Sequence, residues 1–367
     1  MKRTKLILVG GFLGTGKTTL LRQAAQELQA RGERIALITN DQAPGLVDTG
    51  FFQQAGWDVG EIAGGCFCCK FDDLIGAANR LVENSNPDVI MGEPVGSCTD
   101  LSATVLQPIK DNLAAEFDLA PFTVLIDPLR LQDVIGRAPL STLHPSARYI
   151  LRKQLEEADL IVLNKADQIP AAELDSLAQE LRNQFPGTPQ LRMSALRGEG
   201  IREWLDLVEQ QAPVGQKIAD VDYDTYAEGE AVLGWLNATA TLYSKEAVDW
   251  GAWSADSLGA LQQSLAGKSA EIAHIKLLMI SATDQSLIAN LAGSREKAII
   301  QGQINGDSPI RLVLNARVQI GPEELLSMIE QHFTAACGDA IELHVTAIQS
   351  LSPGRPQPLH RYATAVG

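Results

Sequence analysis

The chain has 367 residues, 45% hydrophobic and 20% charged, enough for about two domains with buried cores at the usual ~150 residues each. Lys and Arg total 30 against 45 Asp and Glu, a formal charge of −15, which argues against nucleic acid as the main partner because a phosphate backbone is held by clustered basic side chains. The apolar run Leu6–Val9 behind Lys2, Arg3 and Lys5 breaks at Gly10-Gly11 without a signal-peptide cleavage site, and no apolar stretch approaches the ~20 residues that span a bilayer. A soluble, cytoplasmic protein with no membrane partner is expected.

Strand and helix patterns alternate over the first two hundred residues. Leu6–Val9, Arg34–Thr39, Val89–Met91, Thr123–Ile126 and Leu160–Leu163 are short apolar runs suited to strands buried on both faces. Between them lie helical stretches such as Thr18–Ala30 and Phe71–Glu83. This order predicts an α/β fold with a mostly parallel, doubly wound sheet over residues 1–212. Residues 213–230, with Asp220, Asp222, Asp224, Glu228 and Glu230, read as a solvated acidic linker. From 231 to 350 the predicted order is βαββαβ, a smaller α+β ferredoxin-like domain, with Glu296–Gln303 as an extra strand. Residues 351–367, containing prolines, read as a loose tail.

Gly11-Phe-Leu-Gly14-Thr15-Gly16-Lys17-Thr18 fits G-x4-G-K-[ST] between a strand and a helix. Glycines there let backbone N–H groups turn around a β-phosphate, Lys17 reaches the β and γ oxygens, and Thr18 offers a hydroxyl to Mg²⁺. After Leu160–Leu163 comes Asn164-Lys165-Ala-Asp167, an N-K-x-D tetrad. A carboxylate at Asp167 accepts both N1–H and N2–H of guanine, whereas adenine presents a bare acceptor there, so GTP is expected over ATP. Lys165 can lay its stem along the base, Asn164 can brace the loop, and Ser194-Ala195 can offer a backbone N–H to O6.

Five cysteines include three crowded as Cys66, Cys68 and Cys69 behind Gly64-Gly65, too close for loop-closing disulfides and read as reduced thiols. Three thiols converging on one soft cation suit a transition metal, with redox or structural roles as the alternative. Cys98 is either a fourth thiol or, with Cys337, a buried bystander. Asp127-Pro128 reads as a helix N-cap with Pro at N1. Trp235, Tyr243, Trp250 and Trp253 form either a docking face or the second domain's core.

Together, residues 10–19 (through Thr19), Gly64-Gly-Cys-x-Cys-Cys69, Glu93-x-x-Gly96 and Asn164-Lys-x-Asp167 resemble the CobW-like P-loop GTPases, relatives of the urease and hydrogenase nickel chaperones. The resemblance implies GTP hydrolysis coupled to metal handling, with Zn²⁺ as first choice and Co²⁺ or Ni²⁺ as alternatives, delivered to a client metalloprotein or cofactor-assembly enzyme. A GTP-gated protection factor for a cofactor-dependent enzyme is the competing reading, and homodimerisation is left open. By match, Glu93 and Gly96 sense the γ-phosphate or Mg²⁺, Asp48 closes the first switch, and Asp100 follows the Glu93 motif. Where the family has Asn-Glu/Asp-Phe-Gly-Glu, this chain has Asn40-Asp41-Gln42-Ala43-Pro44, so Asp41 is the nominee for orienting the attacking water.

Overall fold

The computed structural model describes residues 3–42, 45–137, 143–210, 213–305 and 308–367. Ala43 and Pro44 of the first-switch motif, and residue 212 at the expected linker boundary, lie outside them. The first sheet is built from β1 (Thr4–Gly11), β2 (Ile35–Asp41), β3 (Asp58–Ala63), β4 (Val89–Glu93), β5 (Phe117–Leu119), β6 (Thr123–Ile126), β7 (Leu160–Leu163) and β8 (Gln190–Arg192). Its order is β3-β2-β4-β1-β6-β7-β8, with β5 also pairing β1, and every pairing is parallel. Parallel strands covered on both faces need apolar residues throughout, and β2, β4, β6 and β7 are buried at every position. The flanking helices are α1 (Lys17–Ala30), α2 (Val47–Gln54), α3 (Phe71–Ser85), α4 (Gln107–Asn112), α5 (Pro128–Ile135), α6 (Pro145–Glu156), α7 (Ala171–Gln184) and α8 (Ile201–Glu209).

The acidic segment is not wholly solvated. It contains α9 (Tyr223–Ala231), capped by Asp222 and packed on α6. Tyr226 is buried, and a Cβ at Gly229 would stand 2.5 Å from the Ser146 carbonyl, so only glycine permits this approach. Its acidic sequence hid a helix that buries Tyr226, Gly229 and the Glu230 carboxyl on one face.

The second sheet comprises β9 (Gly234–Ser244), β10 (Ile272–Ser281), β11 (Ser286–Leu291), β12 (Ile299–Gly302), β13 (Ile310–Val318) and β14 (Ile341–Leu351), backed by α10 (Trp250–Gly267) and α11 (Pro322–Cys337). Its order, β12-β11-β10-β13-β9-β14, is antiparallel throughout. Strands β9, β10, β13 and β14 with the two helices make the split βαββαβ arrangement, and β11–β12 extend the edge beside β10 as a hairpin. Strand periodicity divides β10 cleanly: Ile275, Leu277 and Met279 enter this domain's core, whereas Leu278 packs on Val47 of α2. Trp235 and Trp250 are buried, so the aromatic group is largely interior, with Tyr243 exposed.

Among the described residues no helix is long and apolar enough to cross a membrane.

The expected loose tail is a strap. Residues 352–367 lack regular structure, yet Gln357 N–H meets Cys69 Sγ at 3.2 Å, Leu359 N–H donates to the Cys68 carbonyl at 3.1 Å, and Tyr362 N–H to the Ala103 carbonyl at 3.0 Å. Arg361 holds Asp100 at 2.7 Å, and the His360 ring stands edge-on to Phe71 at 5.1 Å. Prolines forbid strand or helix pairing here, but extended chain between them still donates hydrogen bonds to a loop.

Candidate functional site

The turn from β1 into α1 is a cradle. Gly11, Gly14 and Gly16 have φ of 126°, 79° and 98°, a region that side-chain-bearing residues avoid. A Cβ on Gly16 would also stand 2.4 Å from Asn164 Nδ2. That amide donates to the Thr15 carbonyl at 2.8 Å, while Asn164 Oδ1 accepts the Ala195 N–H at 2.9 Å. One side chain thus ties the N-K-x-D loop to both the cradle and the Ser194-Ala195 loop.

Lys17 Nζ lies against the Gly11 carbonyl at 2.8 Å and 3.8 Å from Glu93. Burial lowers the Lys17 pKa, partly countered by Glu93; burial raises that of Glu93, and Asp48 adds to the rise. Thr18 Oγ1 donates to Glu93 at 2.9 Å and receives Lys276 Nζ at 3.2 Å. Lys276 also donates to both oxygens of Asp48, each at 2.8 Å. Burial alone would lower the Lys276 pKa, but Asp48 and Glu93 carry it above the ordinary value. Thr18, Asp48 and Glu93 therefore converge as an oxygen donor set of the kind that hard divalent cations take. Asp41 lines the same cavity, its carboxylate held by Arg317, whose guanidinium lies over Trp235 at 4.3 Å.

A second cavity continues past Gly14, Gly16 and Thr19 to Asn164, Lys165, Asp167 and Ala195. Its far wall comes from β11 and the following loop, including Asn290, Ala292 and Glu296. Lys165 Nζ bridges Glu296 at 2.9 Å and Asp127 at 3.5 Å, and Asp167 faces Arg197 at 3.5 Å. Asp127 also caps α5 through the Arg130 N–H with Pro128 at N1, as its sequence suggested. One expectation fails here. The Ser194 N–H donates to the Glu199 carbonyl and the Ala195 N–H to Asn164, so neither is presented free to the pocket.

Cys66, Cys68 and Cys69 place their sulfurs within 4.8 Å of one another. Two left-handed glycines, Gly64 and Gly65, fold the chain back before them, and Lys70 N–H bonds to the Cys66 carbonyl on the way into α3. Cys98 is buried on the loop after β4, near enough to Cys66 and Cys68 for their thiols to act on its own. Burial pushes the Cys98 thiol up, but the neighbouring Cys66 and Cys68 bring it down to about 6. Cys69 is pushed up to about 11, first by its bond with Cys66. Asn40 joins this loop to the nucleotide cavity: its Nδ2 donates to the Gly65 carbonyl at 2.7 Å, and its Oδ1 accepts the Val95 N–H at 3.3 Å, two residues beyond Glu93.

A model of the CobW/HypB/UreG nucleotide-binding domain matches residues 5–192, half of the chain. The chain belongs to the CobW/HypB/UreG family. Members of this family are P-loop GTPases. The zinc chaperone CobW of a Sinorhizobium species is 30% identical over 218 residues, covering 52% of this chain and 59% of that protein. The zinc chaperone YeiR of Escherichia coli is 30% identical over 175 residues, 46% of this chain and 48% of that protein. The urease accessory protein UreG of Metallosphaera sedula is 26% identical over 226 residues, 56% of this chain and 94% of that protein. The chain thus spans about half the length of the zinc-chaperone relatives it matches.

For this CobW/HypB/UreG member, sequence reasoning passed over the residues supplied from outside the matched region. His274, Lys276, Asn290, Asn315 and Arg317 all line the nucleotide cavity. They sit at paired positions of β10, β11 and β13, on one sheet face. A signal existed: polar residues at alternate positions of otherwise apolar strands mark a face turned away from the domain's own core. Glu230 was likewise read as solvated, whereas its Oε1 accepts from Ser97 beside Cys98 at 2.5 Å and its Oε2 has no partner among the described residues.

Proposed function

We propose that this protein binds and hydrolyses GTP and uses the nucleotide state to govern a transition metal held by Cys66, Cys68 and Cys69, for delivery to a client protein or cofactor-assembly enzyme. The observation that carries this reading is the Asn40 carboxamide, which hydrogen-bonds the cysteine loop on one side and the Glu93 loop on the other. In this reading residues 1–212 house both sites, and residues 231–350 close the nucleotide cavity and recognise the client. The backbone from Gly11 to Thr19 and the Lys17 ammonium hold the phosphates. Thr18, Glu93 and Asp48 would hold Mg²⁺, which supplies charge neutralisation on the phosphate oxygens. Asp167 accepts the guanine N1–H and N2–H, while Lys165 and Ala195 line the base. Asp41, fixed by Arg317, orients water.

Zn²⁺ is the expected cargo because thiolates suit it and its coordination tolerates a loop that must also release it; Co²⁺ and Ni²⁺ remain competitors. Titrating Zn²⁺ into the reduced protein, with and without a non-hydrolysable GTP analogue, tests the reading. Sub-micromolar affinity that changes with nucleotide and is lost when Cys66, Cys68 and Cys69 become serine is the expected result. No metal binding in the wild type, or equal affinity for ATP and GTP, sinks it. Asp167→Ala should lower GTP affinity ~100-fold by unpairing two donors of guanine.

A further inference from the structure

Lys276 holds an unusual place for a residue of the second domain. It projects from the middle of β10, flanked in register by Asn290 of β11 and Asn315 of β13, and its ammonium enters the first domain's cavity. There it bonds both carboxylate oxygens of Asp48 and the hydroxyl of Thr18. Thr18 in turn donates to both oxygens of Glu93, at 2.9 and 3.1 Å. These three side chains are oxygen donors that converge where the cavity could take a divalent cation.

We infer that Lys276 is a built-in competitor for Mg²⁺ at the nucleotide site: the cation gains Thr18 and Asp48 only as the Lys276 ammonium gives them up. This rests on the reading of the cavity as a Mg²⁺·GTP site. Two physical points support it. Mg²⁺ demands oxygens at about 2.0–2.1 Å in near-octahedral geometry, and both Asp48 oxygens and the Thr18 hydroxyl now accept from the Lys276 ammonium. A dication and an ammonium sharing the same two ligands also repel strongly where water is largely excluded.

The exchange has a mechanical side. Asn315, next to Lys276, accepts the Val47 N–H at 2.9 Å and donates to the Gly45 carbonyl at 3.2 Å, and Leu278 packs on Val47. The same face of the second sheet thus grips the start of α2, the helix that carries Asp48. Releasing Lys276 from Asp48 removes the strongest of these ties, so cation entry loosens the sheet from the segment that the first switch occupies. A domain that contributes no phosphate-loop motif thereby sets how much Mg²⁺ the motif requires.

The test is the Mg²⁺ concentration at which GTP-analogue binding reaches half saturation, measured by fluorescence with a labelled analogue. Lys276→Met keeps the apolar stem and removes the charge; Lys276→Gln serves as a second neutral variant should Met fold poorly. Either should lower the half-saturating Mg²⁺ by about tenfold or more, the effect of one or two lost charge-assisted hydrogen bonds. Lys276→Arg, which keeps the charge, should stay near the wild-type requirement. A requirement that is unchanged or raised in the neutral variants overturns the inference. A wild-type protein that binds no GTP analogue at any Mg²⁺ concentration overturns instead the function on which it rests.

Discussion

The two walls of the nucleotide cavity are made in opposite ways. On the first-domain side, chemistry comes in contiguous runs: Gly11 to Thr19 is one turn, and Asn164 to Asp167 another. On the second-domain side it comes as single residues, His274 and Lys276 on β10, Asn315 and Arg317 on β13 and Glu296 after β11, which only sheet register assembles. A phosphate loop must wrap its ligand with consecutive N–H groups, so its residues are neighbours in sequence. A sheet face needs one residue in two from several strands, so its residues are scattered. Motif reading therefore finds one wall and misses the other.

Three experiments would sharpen or break that contrast. The largest effect is expected from Arg317. Its loss leaves the buried Asp41 carboxylate without its cation, so Arg317→Ala should cost about 3–5 kcal/mol in urea unfolding. Lys17→Ala, on the motif wall, should cost less stability, because Glu93 keeps the Thr18 hydroxyl and the nearby Lys276 ammonium, while GTP binding falls. Equal stability losses would erase the distinction between a wall that binds and a wall that braces.

Next comes Glu230. Burial holds its carboxyl at about 8, against 4.5 when exposed. Below pH 4.5 both folded and unfolded chains carry the proton. Between 4.5 and about 8 the unfolded chain ionises while the folded one stays protonated, so this group's contribution to stability declines as pH rises, by up to about 1.4 kcal/mol per unit. Glu230→Gln should flatten that decline, read from urea midpoints at pH values across the window; an unaltered slope contradicts it.

The smallest effect belongs to the strap. Removing residues 352–367 should raise the alkylation rate of Cys69 about tenfold, because one or two hydrogen bonds that cover its loop are lost. No change in rate would mean that the loop opens without it.

Fold and site differed in how far the chain disclosed them. The parallel sheet was readable because strands such as Leu160–Leu163 are apolar at every position, and β6 and β7 begin and end where their sequence runs do. Gly16 and Asn164 were readable because a left-handed turn and a loop brace each require one residue type. Residues 213–230 and 352–367 were misjudged for a common reason: charge and proline describe what a segment avoids, not what it touches. Glu230, Arg361 and Leu359 are fixed by partners more than a hundred residues away, and no local pattern reports them. The Ser194-Ala195 expectation failed on hydrogen-bond accounting, since both N–H groups already have intramolecular acceptors.

Asn40 imposes a symmetry on any regulation that passes through it. A single carboxamide bonded to both loops works as a two-way linkage. If nucleotide changes metal affinity by some factor, metal must change nucleotide affinity by the same factor. A client that withdraws the metal would then also reset the GTP equilibrium, and breaking the bridge at Asn40 should abolish both effects in equal measure.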